Sequence, residues 1–324
     1  MAFKNKEKER VSLINFLSVL GFAALFMLTW LGELFLTGGE MAKSLLIAGG
    51  LTILFVVLLI VLVRIKSVSS NFRVWEIVEV VVLLLYVAAA ILLSRPTRHF
   101  FEVSANKAEI QKQATADFDA IRSVFTEYEN FENEAISNTR RGILASIVGT
   151  RSKELSDFYA AMKINPKDND NVNRYCDIQK EKLLGNKYEQ YKKENLAQVD
   201  TWEKAVLDWS ILRIPEIAKD SDVVADIVKA LSDYSKKADL PAVVSTDGKT
   251  HTIESTKQVF AMDVPELGLA GKLSAVSASA LILSIIVLVL VHLLILMSFF
   301  FGYRDAKQGF KKKVQDGNSD GIYL

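Results

Sequence analysis

The chain has 324 residues, 50% of them hydrophobic, a formal net charge of +1 and a single cysteine. One thiol, Cys176, excludes an intramolecular disulfide and a cysteine-rich metal centre. The stretch 95–272 carries 26 basic and 29 acidic residues, a balance that excludes the basic surface needed to hold nucleic acid.

Four segments have the roughly 20 apolar residues that carry a helix across a bilayer. Residues 11–36 form the first, with Glu33 its only charge, and 45–63 form the second, with none. The third, 75–94, holds Glu79 inside its apolar run, and the fourth, 273–303, has His292 as its one ionisable group. "KNKEKER" ahead of the first span imitates a signal peptide. The apolar run that follows is far longer than the roughly 7–15 residues of such a leader, so it reads as an anchor. Lysine and arginine in the short flanks set the orientation. With residues 1–10 inside, the cytoplasmic flanks hold twelve basic residues, among them Lys4, Arg64 and Lys311, against Lys43 in the first outer loop. Arg95 and Arg98 oppose this but are outnumbered. The stretch 95–272 has no N-x-S/T acceptor, which fits a bacterial source. The expectation is a multi-pass protein of a bacterial inner membrane. Both termini and the basic 304–324 tail are cytoplasmic, and 95–272 is periplasmic.

Between the third and fourth spans the pattern is helical. Ile110, Ala114, Phe118, Ile121, Phe125, Tyr128, Ile136, Ile143 and Ile147 recur at intervals of three, four and seven. No proline falls between Pro96 and Pro166, so one helix over about 101–149 would reach roughly 73 Å, with Gly142 its expected bend. A second helix, 151–163, ends before "NPKDNDN". A third, 172–212, bends at "LLGN" and carries Trp202 and Trp209 on one face. Pro215 interrupts it. Ser221 or Asp222 caps a further helix with Val223, Ile227 and Leu231 four apart. "AVVSTDGKTHTIES" then turns at Asp247-Gly248 as a two-residue hairpin. The predicted fold class is an all-α membrane protein. Four transmembrane helices carry an extracytoplasmic helical bundle or long hairpin with one small β-hairpin.

Candidate chemistry is sparse. "DGKTH" ends like a phosphate loop, but Val243 stands where its first glycine is needed. "SANK" at 104–107 has Ser-x-x-Lys spacing without the companion motifs. Asp168 and Asp170 have calcium-like spacing that fails at Val172, leaving a weak metal candidate in what reads as a helix–helix loop. Cys176 and His251 establish no geometry. No catalytic residue and no cofactor is expected. Glu79 and His292 are more informative, because ionisable groups inside a membrane are functional by default. Their depths differ by about 6 Å, so a pair joining the third and fourth spans is feasible.

In "FTEYENFENEAISNTRRG", Phe125 and Tyr128 continue the core stripe. Phe131 falls off it beside Glu127 and Glu134, with Arg140 and Arg141 following, and this outward face is the expected partner contact. Ser274, Ala278, Ala280 and Ser284, with Gly49 and Gly50, allow close helix approach in a bundle or a homo-oligomer. The tail "RDAKQGFKKK" suits anionic membrane lipid.

A span, a long helical outer domain and a returning span over 75–303 resemble the arrangement of helical-bundle chemoreceptors and sensor kinases. The resemblance is one of architecture, with no shared motif. The 21 residues after Tyr303 are too few for a kinase, a cyclase or a signalling coiled coil, so a signal would pass to a separate partner. The expected function is non-enzymatic: a sensor or scaffold subunit of a larger membrane assembly, whose residues 95–272 bind a protein or envelope partner. The alternative is an oligomeric pore or transporter around Glu79 and His292. The nearly uniform apolarity of the first two spans weighs against it.

Overall fold

The structure, a computed structural model, describes residues 2–66, 72–220, 223–254, 259–274 and 280–301. In chain order its helices begin with α1 (Ala2–Leu36), α2 (Met41–Lys66), α3 (Phe72–Leu92), α4 (Arg95–Ala105) and α5 (Lys107–Ala145). Strand β1 (Thr150–Arg151) precedes α6 (Lys153–Met162), α7 (Asn169–Leu184), α8 (Asn186–Leu207), α9 (Ile214–Asp220) and α10 (Val223–Ser235). The chain continues through β2 (Ala242–Ser245), β3 (Thr250–Glu254), α11 (Leu269–Ser274) and α12 (Leu281–Phe300). These elements form two units. One comprises the described residues of 1–110, 211–218 and 270–324; the other comprises those of 111–210 and 219–269.

The first unit contains four helices long and apolar enough to cross a membrane, built on α1, α2, α3 and α12. Their outer faces are bare hydrocarbon: Leu46 is 77% exposed, Leu92 78% and Ile282 73%. Such continuous apolar surface suits lipid rather than water. Inside a bilayer the hydrophobic effect does not drive helices together, so packing must. Leu25, Phe55, Leu62, Tyr86, Ile295 and Phe299 fill the bundle interior.

Small residues set the closest approaches. A Cβ on Gly32 would stand 1.8 Å from the carbonyl oxygen of Pro96, so only glycine lets α1 lie against the start of α4. Gly21 meets Ile295 of α12 in the same way. Gly49 and Gly50, expected to be contact glycines, face open space, since a Cβ on either would meet nothing within 4 Å. Ala280 and Ser284 are buried, and Ala278 lies outside the described residues.

Pro96 in the first turn of α4 fits the helix start, where its missing N–H leaves no partner unsatisfied. The long helix expected from residue 101 is broken at Asn106. Its side-chain amide donates to the Glu102 carbonyl (2.8 Å) and caps α4, and α5 starts afresh at Lys107.

In the second unit, α5 supplies the central stripe. Ala114, Phe118, Ile121, Phe125, Tyr128 and Ile143 are all buried, as their spacing predicts, whereas Ile136 is half-buried and Ile147 is exposed beyond the helix end. Each of the buried isoleucines and phenylalanines contributes about 1.5–3 kcal/mol. The helix expected over 172–212 is two helices parted at Gly185, within the anticipated "LLGN". Trp202 is buried on α8, but Trp209 lies past its end with φ 55° and shares no helix face with it. The capping residues Ser221 and Asp222 fall outside the described residues.

Three expectations are corrected around the sheet of this unit. The sheet is three-stranded and mixed, in the order β1-β3-β2. The expected hairpin is its antiparallel half, with Val243 opposite Ile253, while β1 adds a parallel strand with Arg151 opposite His251. The turn also holds three residues rather than two, since the Thr246 N–H donates to the Thr250 carbonyl (3.0 Å). Asp247 widens it by accepting the N–H groups of Lys249 (2.9 Å) and Thr250. Gly142, the expected bend, lies inside continuous α5. A Cβ there would come within 2.7 Å of the Val243 Cβ and 2.8 Å of its carbonyl oxygen, so this glycine admits β2 against the helix.

Candidate functional site

Within the first unit, His292 of α12 is tied to α3. Its partner is Tyr86, whose hydroxyl lies 2.9 Å from His292 Nδ1, with both groups buried. Phe55 of α2 packs on both rings, with centroids 5.2 Å and 5.0 Å away, so three helices meet at one aromatic contact. Glu79, the partner expected from the sequence, lies two helical turns earlier on the same side of α3, about 10 Å away along the axis. Ionisability singled out Glu79; depth in the bundle selects Tyr86.

In the second unit, α5 presents the surface expected to meet a partner. Glu127, Glu134, Arg140 and Arg141 are exposed, and Arg141 donates to Asn138. Glu127, Asn130, Glu134, Asn138 and Arg141 follow one another at intervals of three and four residues and form a single polar stripe. Phe131 does not belong to it. This ring is half-buried and lies edge-on to Phe260, with centroids 5.7 Å apart. Phe260 also packs on Tyr128 at 5.3 Å, so one residue far along the chain recruits Phe131 into the core.

Behind the stripe, Tyr188 donates to Glu129 (2.8 Å), which Lys192 also reaches at 2.5 Å. Burial, then the Glu129 hydrogen bond, raises the Tyr188 phenol above its ordinary value. Arg122 joins α5 to α8 through Asp200 (2.7 Å) and Glu203 (2.6 Å).

Other sequence candidates resolve into structural roles. Asp168 caps α7, its Oδ1 accepting from the N–H groups of Asp170 (3.1 Å) and Asn171 (3.2 Å). Cys176 lies in the apolar cluster with Leu155, Tyr159 and Tyr175, and burial pushes its thiol up. A ring nitrogen of His251, Nε2, lies 3.0 Å from the Val148 carbonyl oxygen. Among the described residues, no three His, Cys, Asp or Glu side chains converge on a metal position.

The first unit holds a polar site that the span-by-span reading missed. Arg95, Arg98, His99 and Glu102 occupy positions i, i+3, i+4 and i+7 of α4, and therefore one face. His99 is 2% exposed and Glu102 5%, with Nδ1 and Oε2 3.6 Å apart. Beside them Thr29 of α1 and Thr97 of α4 lie within hydrogen-bond reach, 3.4 Å. Two cavities adjoin this face. One, of about 490 Å³, is lined by Glu33, Lys43 and Arg95 with apolar Ile47, Leu51 and Leu92. The other, of about 330 Å³, is lined by Arg95, Arg98, His99, Glu102, Ser274 and Leu281. Leu36 and Arg95 border both. The signal was legible as "RPTRHFFE" directly after an apolar span, but the arginines counted there only as topology charges.

The chain matches no protein-family model, no curated protein and no solved structure.

Proposed function

We propose that the protein is a non-enzymatic, multi-pass component of a bacterial plasma membrane. Its helical domain serves as a sensor or scaffold that meets a protein or envelope partner outside the cytoplasm. The observation that carries this reading is the division of labour along α5. One face is buried in the domain's own core, and the opposite face is an exposed stripe running from Glu127 through Glu134 to Arg141. Glutamates toward one end and Arg141 at the other give the stripe a polarity that a partner can read. Rim charges of this kind govern association rate and specificity more than raw affinity.

A photo-crosslinking residue at Glu134, introduced in living cells, tests the reading. The same residue at the exposed Glu194 on α8 serves as control. A discrete adduct is expected from position 134 and not from 194, and combining it with Glu127→Lys should lower its yield severalfold. Adduct patterns that are equal at both positions, or indifferent to the charge reversal, would remove the α5 stripe as a contact surface.

A further inference from the structure

We infer that the cavity lined by Arg95, Arg98, His99 and Glu102 binds a phosphate group. The cavity lies entirely within the first unit, at the end of the third apolar helix. Its polar lining is built, because His99 is 2% exposed and its Nε2 has no hydrogen-bond partner among the described residues. The Leu273 backbone is a weak polar neighbour of the His99 ring and leaves that nitrogen outside hydrogen-bond geometry. The Arg98 Nε is likewise buried and has no partner among the described residues. An arginine Nε–H is always a donor, whereas His99 Nε2 is an acceptor when the ring proton sits on Nδ1 toward Glu102. A buried Nε–H left without an acceptor costs about 1–3 kcal/mol, so Arg98 calls for an acceptor that enters from outside, while a hydroxyl of the phosphate or its glycerol can donate to His99 Nε2.

Charge states what that acceptor is. Arg95 and Arg98 bring two fixed positive charges to the lining, and Glu102, the one carboxylate among these residues, is engaged by His99 at 3.6 Å. A group with several strong acceptor oxygens and negative charge completes the set, and guanidinium forks match phosphate geometry. About 330 Å³ lies at the small end of ligand sites, room for a phosphate and its immediate ester rather than a large metabolite. Leu36 and Leu281 supply apolar walls beside the arginines, as a phospholipid headgroup with its glycerol would require. The same chemistry also accepts free phosphate. The inference depends on neither the sensor reading nor the α5 stripe.

The test uses the full chain, purified and offered an equal mixture of phosphatidylglycerol and phosphatidylcholine, with retained lipid counted by native mass spectrometry. Inorganic phosphate binding is measured in parallel by calorimetry. Preferential retention of phosphatidylglycerol supports a lipid phosphate, and phosphate binding without lipid preference supports a free one. In either case Arg98→Gln should weaken binding about tenfold, the equivalent of one charge-assisted hydrogen bond. Ser274→Glu, at an exposed position on the cavity rim, leaves both arginines in place and should weaken binding similarly. It therefore decides the matter if Arg98→Gln fails to fold, as judged by helicity and melting. No selective lipid and no phosphate bound, or binding unchanged in Ser274→Glu, overturns the site.

Discussion

Asp168 stands just ahead of α7, and its carboxylate is committed to the helix's first N–H groups. Spacing alone invites a calcium reading of Asp168 and Asp170, but the cap competes for the same oxygens. Losing such a cap costs about 1 kcal/mol. Asp168→Ala should therefore lower the unfolding free energy of the protein by that amount, while Asp168→Asn retains most of it. Millimolar calcium should leave the wild-type melting midpoint where it was. A calcium-dependent rise that Asp168→Ala abolishes would instead make this a metal site. Phe131 teaches the complementary lesson. Counted by helical angle it belongs outside, yet Phe260 covers it from 129 positions along the chain.

Between elements, the approach of β2 to α5 turns on Gly142. In an isolated helix, Gly→Ala gains about 1 kcal/mol. Here the added methyl meets the Val243 Cβ at 2.7 Å and its backbone oxygen at 2.8 Å, and a backbone cannot step aside as a side-chain tip can. Overpacking of this kind costs about 1–3 kcal/mol, so the clash outweighs the propensity. Gly142→Ala is expected to be destabilising in chemical denaturation, against the helix-propensity trend. A stabilised variant would show that the sheet packs less tightly on α5. The α1–α4 contact at Gly32 follows the same logic under a sterner constraint, since a methyl there would stand 1.8 Å from backbone.

Across the membrane, the proposed orientation of the chain places the α5 stripe outside the cytoplasm and the basic tail inside. Cys176 is 5% exposed and burial raises its thiol, so it contributes little background to labelling. Asn133→Cys, at an exposed α5 position, should react with a membrane-impermeant maleimide in intact spheroplasts. Lys311→Cys should react only after permeabilisation. The reverse pattern would invert the topology and move the α5 stripe into the cytoplasm.

Features that repeat locally were readable from the residues alone. Four apolar runs of bilayer length and the Ile110–Tyr128 stripe follow from composition and period, because each residue's burial there depends on near neighbours. "LLGN" marked only a bend, where α7 and α8 in fact part at Gly185. Which distant groups meet was a matter for the folded chain. His292 finds Tyr86 across 206 positions, Val243 finds Gly142, and β1 joins β3. Folding also placed four ionisable residues of α4, legible as one helical face, against a cavity rather than open solvent. Periodicity assigns a residue to a face of its own helix. What covers that face is set by how the chain closes in space, and no local pattern encodes it.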